Sequence, residues 1–428
     1  MPKTQDLTPG PIAFDLFHPI FAATNDTPIS MHCLNYIIWN GSPELFSIGP
    51  VTLRWYGLLF ALGFLISQQI LYYMYRQEEK PQNDVDTLTI YMVVATILGA
   101  RLGHIIFYEP EIIWQNPISI FLPFEFNPFR FTGLQGLASH GGAIGILFAL
   151  WVYANYSIRF SKPDVDLSEK RGDTRIKKKI KYGLFVEKRR RPGQSYLQVL
   201  DRIVILVALT GALIRFGNYF NSEILGKPTN GPTGIVFINR VSESILGDSA
   251  DPNNIVQSVF VKRNSNMEEG SNGRVPINLF IFFKPGIPEP NAQFFCRSDL
   301  KKILYFGSEF VDEPVEGYVQ YQTVYDEKSN QVMARINTTG IARHPAQLYE
   351  AISCILLFIF LLSIWQHYKR NLPEGRIFGY FMIILWSLRF SYEYLKENQV
   401  PFEDKLPLNM GQILSIPLVI IGIFILIR

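Results

Sequence analysis

Met410–Ile427 reads MGQILSIPLVIIGIFILI, a run without a single charge that is long enough to cross a bilayer as a helix. About 30 Å of hydrocarbon at 1.5 Å per residue asks for roughly twenty apolar residues. A spanning segment must also be helical, because backbone groups left unpaired in lipid are costly. Six further stretches fit the same reading: Trp55–Met74, Leu88–Tyr108, His140–Ser157, Val199–Phe220, Leu348–Trp365 and Ile377–Leu395. The composition of the 428 residues agrees, with 48% hydrophobic and only 18% charged, too apolar for an average soluble enzyme and far too apolar for disorder. The sequence therefore predicts an all-α polytopic membrane protein of about seven transmembrane helices.

The charges set an expected orientation. Arg159–Gln198 carries thirteen Lys plus Arg, including Lys177-Lys178-Lys179 and Arg189-Arg190-Arg191. Positive loops stay on the cytoplasmic side. Arg76 and Lys80, and then Lys369, Arg370 and Arg376, fall on that same side when spans are counted outward. The N-terminus is then periplasmic and the C-terminus cytoplasmic, in a multi-pass membrane protein. The basic run reads as a solvated loop or a patch on anionic lipid. No nucleic-acid partner is expected, since no binding fold surrounds it.

The expected organisation has four parts. Residues 1–50 form a periplasmic lead-in, and MPKTQDLTPG lacks the basic and apolar regions of a cleavable signal peptide. Residues 51–220 hold spans one to four, with the basic loop 159–198. Residues 221–347 form a periplasmic insertion, and 348–428 hold spans five to seven. The insertion reads as a small β-rich domain from runs such as GIVFINRV, NIVQSVFVKR, INLFIFF, KKILYF and GYVQYQTVY between turn residues. Cys33, Cys296 and Cys354 share no metal-ligand spacing and no disulfide framework. No acidic metal cluster is evident, so neither a metal nor another cofactor is expected.

Ionisable residues inside spans are expensive and usually face a cavity or a partner. Four clusters qualify. In GALIRFGNYFNSE, Gly211 to Glu223, Arg215 and Asn218 are three apart and share a helix face. An arginine beside an amide suits a phosphate, although a snorkelling arginine at a helix end is an equally simple reading. GLASHGGAIG places His140, which can carry a proton near neutral pH, at the entrance to span three; a buried structural histidine explains it as well. RHPAQLYEA places His344 before span five and Glu350 about one turn into it, as site residues or as a cap with an interhelical ion pair. RFSYEYLKE puts Arg389 and Glu393 four apart late in span six, with Lys396 after them. By the expected topology these clusters gather toward the periplasmic ends of their spans, as one outward-opening polar cavity requires.

Taken together, these strings resemble the prolipoprotein diacylglyceryl transferase family. The matches are RWYG (Arg54 to Gly57), GARLGHIIFY (Gly99 to Tyr108), SHGG (Ser139 to Gly142), IRFGNYFNSEILG (Ile214 to Gly226), RHPAQLYE (Arg343 to Glu350), RFSYEYLKE and NMGQILSIP (Asn409 to Pro417). They keep their order from the first span to the last. The resemblance implies functional positions at Tyr56, His140, Arg215, Asn218, Glu223, Gly226, Arg389 and Glu393, with His344 and Glu350 in another recurrent motif. Lys396 stands where the family pattern often has arginine. The basic loop and the enlarged insertion exceed the compact form of the family.

The implied reaction joins the lipobox cysteine sulfur of a prolipoprotein signal peptide to the glyceryl carbon of phosphatidylglycerol and releases glycerol phosphate. It is alkyl transfer, so the magnesium clamp of phosphoryl transfer is not required. Arg215 and Arg389 are expected to stabilise the leaving phosphate, and His140 to assist formation of the thiolate. Tyr56, Asn218 and Glu223 would orient the headgroup, and Glu393 would set the pose of Arg389. A transporter for anionic solutes would also place arginines in a membrane cavity. Transporters commonly show two related halves, and spans one to three do not repeat in five to seven. A structural scaffold would not need Arg215, Asn218 and Arg389 in the lipid zone, and an alcohol phosphotransferase would need an Asp-rich metal motif.

Overall fold

The computed structural model describes residues 36–48, 51–115, 124–126, 129–131, 138–161, 183–188, 190–248, 251–265, 267, 270–312, 319–397 and 406–428. The first part of the lead-in, most of the basic loop and Cys33 lie outside these residues. In chain order the first elements are β1 (Tyr36–Trp39), β2 (Glu44–Ile48), β3 (Val51–Arg54), α1 (Trp55–Gln77), α2 (Asn83–Tyr108) and α3 (Ile112–Gln115). There follow β4 (Phe124–Phe126), β5 (Phe129–Phe131), α4 (Ser139–Asn155), β6 (Tyr156–Ser161), β7 (Gly183–Lys188) and α5 (Tyr196–Phe220). The insertion holds β8 (Gly234–Phe237), α6 (Asn239–Leu246), β9 (Val256–Arg263), β10 (Arg274–Phe283), α7 (Glu289–Arg297), α8 (Asp299–Phe306), β11 (Tyr321–Asp326) and β12 (Gln331–Arg343). The chain closes with α9 (Ala346–Tyr368), α10 (Arg376–Tyr392) and α11 (Met410–Ile427).

Among the described residues five helices are long and apolar enough to cross a membrane: α1, α2, α5, α9 with the turn after it, and α11. Helices α4 and α10, of 17 residues each, occupy the places expected for spans three and six. Local chemistry fixes several ends. Ser195 and Gln198 form a reciprocal capping box at the start of α5, as Asn409 and Gln412 do on α11. Asp84 and Asp86 lie in the first turn of α2 and Arg76 in the last turn of α1, each matched to the helix dipole. Asp201 is fully buried on α5, yet its carboxylate accepts from the Gly375 and Phe378 amides at 2.7 and 2.8 Å. It caps α10 across the bundle, which offsets the cost of burying it.

Helices α2 and α4 meet through glycines. A Cβ at Gly103 would lie 2.6 Å from Gly141 Cα, and one at Gly145 would lie 2.6 Å from Ala95 O. Two of the strings that carry the resemblance, GARLGH and SHGG, thus include the small residues that let these backbones touch.

The loops between α1 and α2, before α5, and between α9 and α10 gather at one end of the bundle. Arg370 pairs with Glu79 at 2.8 Å, Lys369 donates to Gln77 at 3.1 Å, and Ser195 donates to Glu374 at 2.6 Å. At the other end sits the insertion, a six-stranded sheet in the order β1-β8-β12-β10-β9, with β11 also on β12. Strand β1, from the lead-in, pairs in parallel with β8, and Tyr36 Oη donates to Pro276 O at 3.1 Å. One face of the sheet packs Ile277, Leu279, Ile281, Val332, Ala334 and Ile336 against α6, α7 and α8.

Two expectations for the insertion need correction. KKILYF is not a strand: it lies in α8, where Leu300 and Leu304, one helical turn apart, are the buried positions. The domain is also less purely β than expected, since three helices cover its sheet. Strand β12, the longest, was not among the expected runs. Val332, Ala334 and Ile336 face the core while Arg335 and Asn337 between and after them are less buried, a pattern of period two in which Met333 is buried on the opposite face as well.

Candidate functional site

The end of α5 nearest the insertion carries Arg215 and Asn218 on one face. Arg215 Nε meets Glu350 Oε2 at 2.5 Å, and one terminal nitrogen reaches Asn218 Oδ1 at 3.4 Å. Asn218 is buried and donates to Glu223 Oε2 at 3.0 Å; Glu223 also pairs with Arg240 at 3.2 Å. Gly217 is needed beside them, because a Cβ there would lie 2.8 Å from the ring of Tyr56. Tyr56 packs on that glycine within electrostatic reach of Glu223 and Arg215.

Glu350 comes from the second turn of α9 and joins this group to the end of α10. Its other oxygen contacts Lys396 Nζ, and Lys396 also lies 3.3 Å from Glu393 Oε1. Glu393 pairs in turn with Arg389 at 3.5 Å. The result is a continuous chain, Arg215–Glu350–Lys396–Glu393–Arg389. Its three inner members are buried, while the Arg215 and Arg389 side chains keep 22% and 32% exposure at the two ends. Three cations against two carboxylates leave one positive charge. Burying such a network is expensive unless each member is paired. The network therefore carries one net positive charge, with a partly exposed arginine at each end.

Loops hold the chain in register. Gly226 N donates to His344 O at 3.0 Å, Lys227 N to Leu395 O at 2.6 Å, and Gly226 faces Lys396 across an antiparallel bridge. Gly226 thus runs between the segments that carry His344 and Lys396. A Cβ there would lie 2.6 Å from His344 O and 3.0 Å from Leu395 O. Arg343 secures the crossing: it donates to Glu309 O at 3.0 Å and Gly226 O at 3.2 Å and pairs with Glu397 at 2.8 Å. The start of α11 presses on Glu393 from the other side, since a Cβ at Gly411 would lie 2.6 Å from its carboxyl carbon. Asn409 reaches the Glu393 carboxylate at 3.4 Å. That contact gives the NMGQ string a physical role.

The structure therefore brings Arg215, Asn218, Glu223, Gly226, Glu350, Arg389 and Glu393 into one connected group, with Tyr56 against it. His344 lies at the crossing with its side chain turned to Tyr349, 3.4 Å from that hydroxyl. Partial burial lowers the His344 imidazole below its ordinary value, which keeps it neutral at pH 7. His140 stands apart: it is exposed in the first turn of α4, and among the described residues no hydrogen bond or ion pair links it to the arginines. Lys396, Arg343 and Gly411 were not among the expected site residues. The available signal for Lys396 was its spacing, three after Glu393 and seven after Arg389, which continues one helical stripe. Among the described residues there is no His, Cys, Asp and Glu group suited to a metal ion.

The family model for prolipoprotein diacylglyceryl transferase matches residues 43–165 and 179–428. The chain belongs to the prolipoprotein diacylglyceryl transferase family. It is 28% identical to a phosphatidylglycerol–prolipoprotein diacylglyceryl transferase of Bacteroides fragilis over 391 residues, 91% of this chain and 93% of that protein. Its identity to the protein of the same name from Chloroherpeton thalassium is 29% over 396 residues, covering 92% and 95%. To that of Porphyromonas gingivalis it is 30% over 401 residues, covering 92% and 94%. Both the insertion and the ion-pair chain fall within the segments that match the diacylglyceryl transferase family.

Proposed function

We propose that this chain transfers the diacylglyceryl group of phosphatidylglycerol to the lipobox cysteine of a prolipoprotein signal peptide. The observation that carries the reading is the ion-pair chain with one surplus positive charge and an arginine at each end. The acceptor thiol loses its proton, and the thiolate attacks the glyceryl carbon. A carbon–sulfur bond forms as the carbon–oxygen bond to phosphate breaks, and glycerol phosphate leaves with the bonding pair. The phosphodiester enters with one negative charge and leaves with two. Arg215 and Arg389 face the place where that charge grows, in surroundings that screen it poorly. Glu350, Lys396 and Glu393 hold the two guanidinium groups at a fixed spacing. Asn218, Glu223 and Tyr56 orient the headgroup. His140, exposed and outside the chain of ion pairs, assists proton removal without being indispensable.

In this reading all seven long helices cross a bacterial inner membrane, with the insertion and the N-terminus outside and the C-terminus inside. The gathering of Arg76, Lys80, Arg191, Lys369 and Arg370 at one end supports that sidedness. An apolar groove of about 180 Å³ between α1, α2, α4 and α5 begins at Ile214, beside Arg215, and is lined by Phe60, Phe64, Met92 and Leu206. It suits an acyl chain of the donor. Its hydroxyls are already spent: Ser67 bonds Thr210 at 3.1 Å, and Thr96 donates to Met92 O at 2.7 Å.

The test uses purified protein in detergent with phosphatidylglycerol and a lipobox peptide, no added metal, and Arg215→Ala alongside. Peptide mass and released glycerol phosphate are followed together. A diacylglyceryl mass gain that vanishes in the variant is expected. No gain from folded wild-type protein would favour a transporter of anionic solutes.

A further inference from the structure

Helix α8 turns Leu300 and Leu304 into the core of the insertion and leaves Lys301, Lys302, Tyr305 and Phe306 exposed. Four-residue spacing sets Lys301 one turn before Tyr305 and Lys302 one turn before Phe306. The two rings meet edge to face at 5.6 Å. Phe306 is 84% exposed and Tyr305 59%. Scattered exposed aromatics are ordinary, but this pair is singled out by its position.

The turn after Phe306 is held between the ends of two membrane helices. Gly307 packs on α6, where a Cβ would lie 3.0 Å from Val241 Cγ2. The two residues before Val241 are tied to the end of α5: Arg240 Nε donates to Asn221 O at 2.9 Å and Asn239 Nδ2 to Phe220 O at 3.1 Å. On the other side Glu309 O accepts from Arg343 at 3.0 Å, and α9 starts at Ala346. Tyr305 and Phe306 therefore sit at the level where α5 and α9 leave the apolar layer. The ring cluster of Trp39, Tyr219 and Phe220 lies at the same level.

We infer that the Lys301–Lys302–Tyr305–Phe306 face of α8 rests in the headgroup layer of an anionic bilayer and anchors the insertion beside the mouth of the site. The inference rests on reading α5 and α9 as membrane spans. Aromatic rings favour the bilayer interface, and lysines extend past them to lipid phosphates. Among the described residues Lys302 makes a single ion pair, an exposed 3.9 Å contact with Asp299, so both ammonium groups can reach headgroups. Anchored there, α8 would hold Glu309, and through it Arg343 and Gly226, over the ion-pair chain.

The test replaces Phe306 by the photo-reactive p-benzoylphenylalanine in the full chain, reconstituted in vesicles of phosphatidylethanolamine and phosphatidylglycerol with lipobox peptide present. The same replacement at Lys328, in the turn before β12 and about 40 Å along that strand from Arg343, is the control. Phospholipid adducts at position 306 about tenfold above the control are expected. Adducts mainly to the peptide, or no excess over the control, would overturn the inference. A Tyr305→Ser/Phe306→Ser double variant should transfer about fivefold more slowly than wild type in vesicles and equally fast in detergent; equal rates in both media would also overturn it. Transfer by the wild-type protein in the same vesicles reads the proposed function separately.

Discussion

Helix α5 carries two arginines, Arg202 and Arg215, about 20 Å apart along its axis, and their surroundings differ in kind. Arg202 is closed off. It faces Glu78 Oε1 from Nε at 3.1 Å and from a terminal nitrogen at 3.0 Å, and it donates to Gln198 O at 2.9 Å. Trp365 Nε1 donates to the same Glu78 oxygen at 2.6 Å, and the two charged side chains are 3% and 0% exposed. Arg215 is left open: its second terminal nitrogen has no hydrogen-bond acceptor among the described residues, and its partner arginine at the far end, Arg389, holds only a 3.5 Å contact. Arg202 joins helices together. Arg215 and Arg389 are held in place and left with donors to spare.

The comparison breaks most sharply on paired substitutions. Arg215→Ala should cut transfer by about a thousandfold, some 4 kcal/mol of transition-state stabilisation, with little change in thermal unfolding because Glu350 keeps Lys396. Arg202→Ala should do the reverse. It strands Glu78 between Lys80 and Trp365, costs about 3–5 kcal/mol of stability and leaves the turnover of the folded fraction near normal. Unfolding in detergent and initial rates normalised to folded protein check both. If Arg202→Ala abolished turnover in folded protein, or Arg215→Ala spared it, the division between the two ends would be wrong.

A smaller effect is expected where backbone, not charge, sets the site. Gly226→Ala should lower transfer about a hundredfold, since parting the His344 and Lys396 segments misplaces the ion-pair chain by a fraction of an ångström or more. Gly57→Ala is the matched control, because a Cβ there meets nothing within 4 Å. It should change the rate by no more than about twofold. Equal losses in the two variants would mean that the crossing does not position the site.

These two ends also show what the sequence can convey. Long apolar runs are a local signal, so every expected span coincides with a helix to within a few residues. Arg215 with Asn218, and Arg389 with Glu393, were legible because each pair lies within one helical turn. Glu350 and Lys396 are joined to Arg215 across 135 and 181 positions, and no spacing rule reaches that far. Lys396 was noted only as following Arg389 and Glu393 in their cluster, and its burial beneath the Gly226 crossing is a tertiary fact. The misreading of KKILYF has a similar cause. A short run of Leu, Ile, Tyr and Phe fits either period, and the core below α8 decides which residues turn inward.

His140 tests how far the site extends. Its glycine neighbours are committed to the α2–α4 contact, and its own side chain is exposed outside the ion-pair chain. His140→Gln should therefore slow transfer by about tenfold, less than the roughly hundredfold or more of an essential general base. The loss should shrink as pH rises toward the thiol's own ionisation near 8.5, where solvent removes the proton unaided. A rate below a thousandth of wild type in folded protein would make His140 the essential base and move the chemistry away from the arginines.

The smallest effect is expected for the protein's own cysteines. Cys296 is fully buried in the insertion against α8, and burial pushes its thiol up to about 12. It therefore stays protonated, and so non-nucleophilic, through the pH range in which an acceptor thiol of about 8.5 titrates. Cys354 lies inside α9, within the bundle. A chain with Cys33→Ser, Cys296→Ala and Cys354→Ser should lose about 1 kcal/mol of stability at the core position and keep its transfer rate within about twofold. The rise in rate with pH should remain in place, since it belongs to the acceptor peptide. If the rise disappeared together with the activity, the reaction would pass through a diacylglyceryl group carried on the enzyme's own sulfur, and direct transfer between lipid and peptide would have to be abandoned.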